Sequence, residues 1–310
     1  MRRFALLLNR LLPKNLRFLA LLFSILVMSA AAYKTAKIYY VEKVSMRSIH
    51  LSMPQKPKAW SAIRFQTQDG LAIAAWYAPT HNGATILMLH GYGNTRNQLL
   101  PEAEILRAKG FGVLMYDTRG HGESGGDVIG FGATETLDIR AALAWLEKQS
   151  EVDMTRIGGY GFSRGGFILA RAAAKDRRIS SLILVATPSS NFELSVDDNG
   201  GGTMGKIKAQ IAEIADFALG VSSNLSTTMD AVKAMRSQSI LIITSTADKT
   251  VPLARANEVF NAAQFPRRMV IFQGAEHGAY QKSDPKRFAA IITEHFESTL
   301  GRTWTMASAH

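Results

Sequence analysis

The chain contains no cysteine. This excludes disulfides, zinc–thiolate centres and a cysteine nucleophile, and it suits an oxidising or a reducing compartment equally. No internal repeat and no long low-complexity tract recurs along it, so solenoid and fibrous architectures are excluded as well. Acidic residues are almost missing from the first 47 positions, where Glu42 stands alone against Arg2, Arg3, Arg10, Lys14, Arg17, Lys34, Lys37, Lys43 and Arg47. That segment carries +8 of the formal charge of +11, which leaves 27 basic against 24 acidic residues beyond it. The basic excess is therefore terminal rather than spread over a surface, and no nucleic-acid partner is expected.

Within the basic segment, Phe18 to Tyr33 runs sixteen residues without a charge, "FLALLFSILVMSAAAY". Residues 1–47 read as a membrane anchor or a signal peptide with its apolar core at 18–33. The signal reading rests on the small residues Ser29-Ala30-Ala31-Ala32 as a cleavage region. The anchor is preferred because the leading basic region is long and Ile38-Tyr39-Tyr40-Val41 provides an interfacial aromatic flank. A buried helix of a soluble domain is a third reading, and charges on both sides of the run suit headgroups better. Five basic residues precede the run and four follow it. This bias places the amino terminus in the cytoplasm and the rest outside it, in a single-pass arrangement; cleavage would instead release a secreted or periplasmic protein.

After a linker at 48–60, apolar runs alternate with helical patterns from 61 to 300, and residues 301–310 form a tail. Runs at 62–67 and 71–78, joined by Gln68-Asp69-Gly70, predict an opening antiparallel hairpin. Further strands are expected at 85–90, 112–117, 156–162, 182–187, 240–245 and 269–274, apolar nearly throughout as strands covered on both faces should be. Helical periodicity falls near 98–109, 133–149, 164–175, 253–263 and 285–299. The predicted fold is α/β, with a mostly parallel eight-stranded sheet flanked by helices. One interval, about 188–236, is too long for an ordinary connection and reads as a short lid insertion or a permanently packed insert. It holds "NGGGTMG" and then a helix with Ile207, Ile211, Ile214 and Ala218 at helical spacing on one face.

Two stretches match the pattern G-x-S-x-G. Ser163, in Gly161-Phe162-Ser163-Arg164-Gly165, lies directly between a strand and a helix start, as a nucleophile on a sharp turn must. Ser124, in Gly122-Glu123-Ser124-Gly125-Gly126, lies in a polar loop with no helix following it, and a G-x-G-x-x-G match in the same loop fails as a dinucleotide site for that reason. Gly161 and Gly165 leave clearance where strand and helix approach, and the Arg164 amide sits at a helix amino terminus, where it can meet an oxyanion. A serine hydroxyl needs a base, and the base an orienting acid. His277 in "GAEHGAY" and Asp248 in "TADKTVP" fall just past the ends of the last two strands, on the rim of the sheet where Ser163 lies. Glu276 is the substitute acid should Asp248 not serve. The loop "LMLHGYGN" offers the Tyr92 amide as second oxyanion donor, with Gly91 allowing close approach and His90 and His121 read as loop supports. The Arg164 side chain reads as an internal ion pair.

With these motifs in order, "HGYG", "YDTRGHGESGG", "GYGFSRGG", "TADKTVP" and "GAEHG", the chain resembles the α/β-hydrolase superfamily from about residue 60 to 299. Within it the chain is similar to bacterial serine hydrolases related to lysophospholipases and acylglycerol lipases. The resemblance implies a Ser-His-Asp esterase working through an acyl-enzyme without metal or organic cofactor, with the loop at 117–126 as a structural element near the site. A membrane-tethered hydrolase of lipid-like esters or thioesters is expected, its partners being a small-molecule or lipid ester and, through the amino-terminal segment, the membrane. A serine peptidase or amidase on the same fold is the alternative, and a catalytically silent scaffold or binding protein is the alternative from another class.

Overall fold

The computed structural model of the protein describes residues 13–40, 48–52, 55–129, 132, 134–218 and 227–301. Arg2, Arg3, Arg10, Glu42, Lys43 and Arg47, residues 219–226 of the insertion and residues 302–310 of the tail lie outside the described residues. The chain separates into two units, Met1–Met46 and Arg47–His310.

In the first unit, helix α1 spans Lys14–Tyr40. Its 27 residues extend about 40 Å at the usual helical rise, enough to cross a hydrocarbon core. The stretch Phe18–Thr35 has a mean hydropathy of 1.7 and no buried residue, and it is the one helix among the described residues long and apolar enough to cross a membrane. Two of the hydroxyls there are satisfied locally. Ser24 Oγ donates to Ala20 O at 2.8 Å and Thr35 Oγ1 to Ala31 O at 2.9 Å, so neither demands water.

The second unit carries β1 (Ser61–Gln66), β2 (Ala72–Ala78), β3 (Thr85–Leu89), α2 (Leu100–Ala108), β4 (Gly112–Tyr116), α3 (Glu135–Leu146), β5 (Ile157–Phe162) and α4 (Arg164–Ala173). It continues with β6 (Ile179–Val185), α5 (Asn191–Asp198), α6 (Gly202–Ala218), α7 (Thr228–Ala234), β7 (Ser239–Ser245), α8 (Leu253–Ala262), β8 (Arg267–Phe272), the single turn α9 (Tyr280–Ser283) and α10 (Pro285–Leu300). The strands form one sheet in the order β1-β2-β4-β3-β5-β6-β7-β8. β2 runs against both of its neighbours and all later pairs are parallel.

The unbroken apolar runs divide in register between two cores, because alternate side chains of a strand point to opposite faces. Leu87, Leu89, Leu114, Tyr116, Ile240 and Ile242 face the layer with Ile139 and Leu143 of α3, Phe167 and Ile168 of α4 and Val259 of α8. Ile86, Met88, Val113, Met115, Leu241 and Ile243 face Ala103 and Leu106 of α2 and Phe288, Ile292 and Phe296 of α10. Each large side chain removed from water here stabilises the fold by about 1.5–3 kcal/mol.

Strand β6 starts at Ile179, three residues before its apolar run, with two serines. Ser181 is buried, and its hydroxyl meets His295 Nε2 at 3.0 Å and Thr299 Oγ1 at 2.7 Å, both on α10. A polar residue is admitted to this buried strand because a helix distant in sequence satisfies it. Strand β8 likewise opens on Arg267, whose guanidinium donates to Phe260 O at 2.6 Å and to Ala263 O at the carboxyl end of α8.

Candidate active site

The parallel strands β3, β5, β7 and β8 end on one edge of the sheet, and the next few residues of each supply the site. Leu89 ends β3 and is followed by His90, Gly91 and Tyr92; Phe162 ends β5 and is followed by Ser163; Asp248 and His277 follow the ends of β7 and β8.

Ser163 joins β5 to α4 at φ +52° and ψ −121°, a left-handed backbone that costs a non-glycine residue of order 1–3 kcal/mol. Its amide donates to Val185 O at 2.8 Å, which holds the turn to the end of β6. A β-carbon at Gly161 would stand 2.4 Å from Gly166 Cα, and one at Gly165 would stand 2.2 Å from Leu89 O. Strand and helix therefore meet backbone to backbone around a half-buried serine. Arg164 follows as the first residue of α4. Its side chain pairs with Glu135, both buried, so the guanidinium is committed within the fold while its amide stands at the helix amino terminus.

Asp248 is buried, and four donors converge on its carboxylate. Thr250 N and Val251 N reach Oδ1 at 3.0 and 2.8 Å, while His277 Nδ1 and the Tyr280 hydroxyl reach Oδ2 at 2.8 and 2.6 Å. Burial alone would raise its pKa, but the hydrogen bonds from His277, Tyr280 and Val251 outweigh burial and hold the carboxyl below its ordinary value. His277 is thus oriented through Nδ1 by an ionised carboxylate, and Nε2 stands outside this contact. The Phe162 ring, adjacent to Ser163, lies 4.9 Å from the imidazole between centroids, so the elbow and the histidine loop are packed together. No hydrogen bond joins Ser163 Oγ to His277 among the described residues; contacts of this kind commonly tighten only when substrate binds. Glu276 is exposed and takes no part in the contact to His277.

His90 and His121 are buried and tie the loop after β3 to the loop after β4. Thr118 N donates to His90 Nε2 at 3.1 Å, so Nδ1 carries the proton and donates to Gly91 O at 2.8 Å. His121 does the same with Gly93 N at Nε2 and Arg119 O at Nδ1. Burial lowers the two pKa values to about 3 and about 4, which keeps both rings neutral. Gly91 N in turn donates to Gln98 Oε1 at 2.8 Å, so the segment carrying Tyr92 is held on both sides. The Tyr92 side chain is exposed and stands edge-on to His121 at 6.2 Å.

Ser124 has a structural post. Its hydroxyl donates to Asp117 O at 2.6 Å and accepts from Ala74 N at 2.9 Å inside the domain. The same loop is braced by Arg96 on Asp117 and Glu123 and by Arg119 on Asp69 and Asp138.

Sequence reasoning passed over two residues. Tyr280, three positions after His277, gave no signal beyond its proximity. Glu102, on α2, lines a cavity with Gln98, Tyr160, Phe162, Tyr280 and Gln281. Burial raises its pKa to about 7, and its Oε2 has no hydrogen-bond partner. Among the described residues, no group of three or more histidines and carboxylates is placed to hold a metal ion.

Sheet order, elbow and loop placement define the α/β-hydrolase fold. The esterase Pf2001 of Pyrococcus furiosus shares it with a TM-score of 0.69 over 83% of this chain and 98% of that one, at 19% identity. The hydrolase GrgF of a Penicillium species shares it with a TM-score of 0.63 over 78% and 99%, at 21% identity. The chain belongs to the X-Pro dipeptidyl-peptidase (S15) family, a hydrolase family whose sequence pattern matches residues 69–287. Among relatives, protein YfhR of Escherichia coli O157:H7 is 26% identical over 278 residues, covering 86% of this chain and 89% of its own. The thiohydrolase aneE of Aspergillus aculeatus is 30% identical over 141 residues, covering 44% of each.

Proposed function

We propose that the protein is a serine hydrolase of carboxylic esters and thioesters, held at a membrane by α1 and acting on lipid-like acyl groups. The observation that carries this reading is the 2.8 Å hydrogen bond from His277 to a buried, ionised Asp248 on the rim that presents Ser163. Ser163 Oγ attacks the acyl carbonyl as His277 Nε2 takes its proton, and the amides of Tyr92 and Arg164 stabilise the oxyanion. The C–O or C–S bond then breaks, His277 returns the proton to the leaving group, and water activated by the same imidazole releases the acid. Thioester cleavage gains support from the relative that is a thiohydrolase. The lipid preference rests on the apolar helix and on the motif resemblance to lysophospholipases and acylglycerol lipases.

The test is labelling by a fluorophosphonate probe, followed by a panel of p-nitrophenyl esters and acyl thioesters of increasing chain length. Labelling is expected in the full chain and absent in Ser163→Ala, with turnover falling about 10³-fold or more. A folded protein that takes no label would support the silent scaffold, and a preference for acetate would overturn the lipid part. Family membership favours a second reading, a peptidase releasing X-Pro dipeptides. Faster turnover of X-Pro p-nitroanilides than of any ester would select it.

A further inference from the structure

Helix α6 turns its apolar face away from the protein. Among the described side chains of α6, Gly205 and Ala209, four residues apart, are the buried ones, and a β-carbon at Gly205 would stand 2.8 Å from Val196 O of α5. Small residues let the two helices approach closely, so the isoleucines are not used for packing. Met204, Ile207, Ile211 and Ile214 are instead exposed at 62, 48, 62 and 60%. They fall at spacings of three and four, one continuous stripe along the helix. Single exposed hydrophobic residues are ordinary on a protein surface, whereas an apolar stripe marks a contact.

Charge and chain connection identify the contact. Lys206 and Lys208 are exposed beside the stripe, and the two acids of the helix, Glu213 and Asp216, fall in its second half. An exposed apolar stripe flanked by lysines is the pattern of a helix lying in a bilayer interface rich in anionic lipid. Helix α1 in the same chain is of membrane-spanning length, and a tether of this kind keeps the domain at high effective concentration near the surface. Arg255 of α8 pins α5 through Glu193 and Asp197, while α6 leaves α5 through Gly200, Gly201 and Gly202 at φ +85°, +70° and +63° with open space around each. The stripe is thus carried on a helix whose approach is unobstructed by its own connection.

We infer that α6 docks on an anionic membrane surface, burying Met204, Ile207, Ile211 and Ile214 at the headgroup boundary with Lys206 and Lys208 on lipid phosphates. The inference rests on the reading of α1 as a membrane span. Because the chain has no cysteine, single-cysteine labelling tests it in the full chain reconstituted in phosphatidylcholine and phosphatidylglycerol vesicles. A fluorophore would be placed at Ile211→Cys on α6, at Phe23→Cys on α1 and at the exposed Ser150→Cys as an aqueous reference.

The Ile211 label is expected to be quenched by shallow nitroxide lipid roughly threefold more than the Ser150 label and shielded from iodide to a similar degree. Lys206→Glu with Lys208→Glu should weaken that shielding without moving the Phe23 label. A Phe23 label in lipid with an Ile211 label as open to iodide as Ser150 would overturn docking and leave the membrane reading standing. A Phe23 label open to iodide would remove both. An Ile211 label shielded from lipid and iodide alike, with Ile211→Cys forming a disulfide between chains, would replace the bilayer by a second copy.

Discussion

Tyr280 donates its hydroxyl to Asp248 Oδ2 at 2.6 Å, the same oxygen that accepts from His277 at 2.8 Å. The tyrosine shares the charge that would otherwise stabilise the imidazolium, and it anchors the carboxylate in one rotamer. Tyr280→Phe keeps the ring and removes this bond. Turnover should fall roughly tenfold, the scale of a hydrogen bond to a charged group. The acid limb of the pH–rate profile should move to higher pH, because Asp248 loses one of the hydrogen bonds that hold its carboxyl below its ordinary value. An unmoved profile accompanied only by a lower Tm would make Tyr280 a packing residue.

Gly165 admits no β-carbon, for the nearest obstacle is the backbone oxygen of Leu89 at 2.2 Å, with His90 O at 2.6 Å. Gly165→Ala should destabilise the domain by about 3 kcal/mol or more and abolish probe labelling, since β3 and α4 cannot separate without moving the amides of Tyr92 and Arg164, the proposed oxyanion donors. Gly70→Ala is the contrast, a left-handed turn with nothing within 4 Å, and should cost only about 1 kcal/mol. Thermal unfolding of the two variants side by side checks the difference.

Burial lowers the pKa of His90 to about 3 and of His121 and His295 to about 4. In the unfolded chain these groups take protons below about pH 6.5, so the unfolded state binds more protons and stability falls as pH drops from there toward 4. Urea midpoints measured from pH 7 to 4.5 should decline, and His295→Gln should recover about 2 kcal/mol of that decline at pH 4.5. The same slope in His295→Gln would assign acid unfolding to other groups.

Glu102 acts in the opposite sense. Its folded pKa of about 7 lies above the ordinary 4.5, so the folded state is favoured at low pH and loses that advantage as pH rises through 7. Glu102→Gln keeps the shape without the charge and should stabilise the protein by about 3 kcal/mol at pH 8 while changing little at pH 4. Denaturation curves at the two pH values decide it.

Much of this architecture could be read along the chain. The runs at 85–90, 112–117 and 240–245 match β3, β4 and β7 to within one residue at each end, because a strand buried on both faces declares itself by composition. The start of β6 was hidden, since Ser180 and Ser181 look like loop until Thr299 and His295 arrive from more than a hundred positions away. Ser163 was separable from Ser124 for a local reason, the strand and helix on either side of it.

What the sequence determined by itself was therefore local or periodic: the sheet, the glycine-flanked corner at Ser163, the order of Ser163, Asp248 and His277, and an apolar helix at the amino terminus. Tertiary structure decided which groups share an atom and which face meets water. Tyr280 reaches Asp248 across 32 positions, Glu102 is half-buried in a cavity lined by the distant Tyr160 and Tyr280, and α6 packs through Gly205 and Ala209 while its isoleucines stay outside. A helical wheel ranks faces by hydrophobicity, but the packed face is chosen by fit, and here close helix approach favoured the smallest residues.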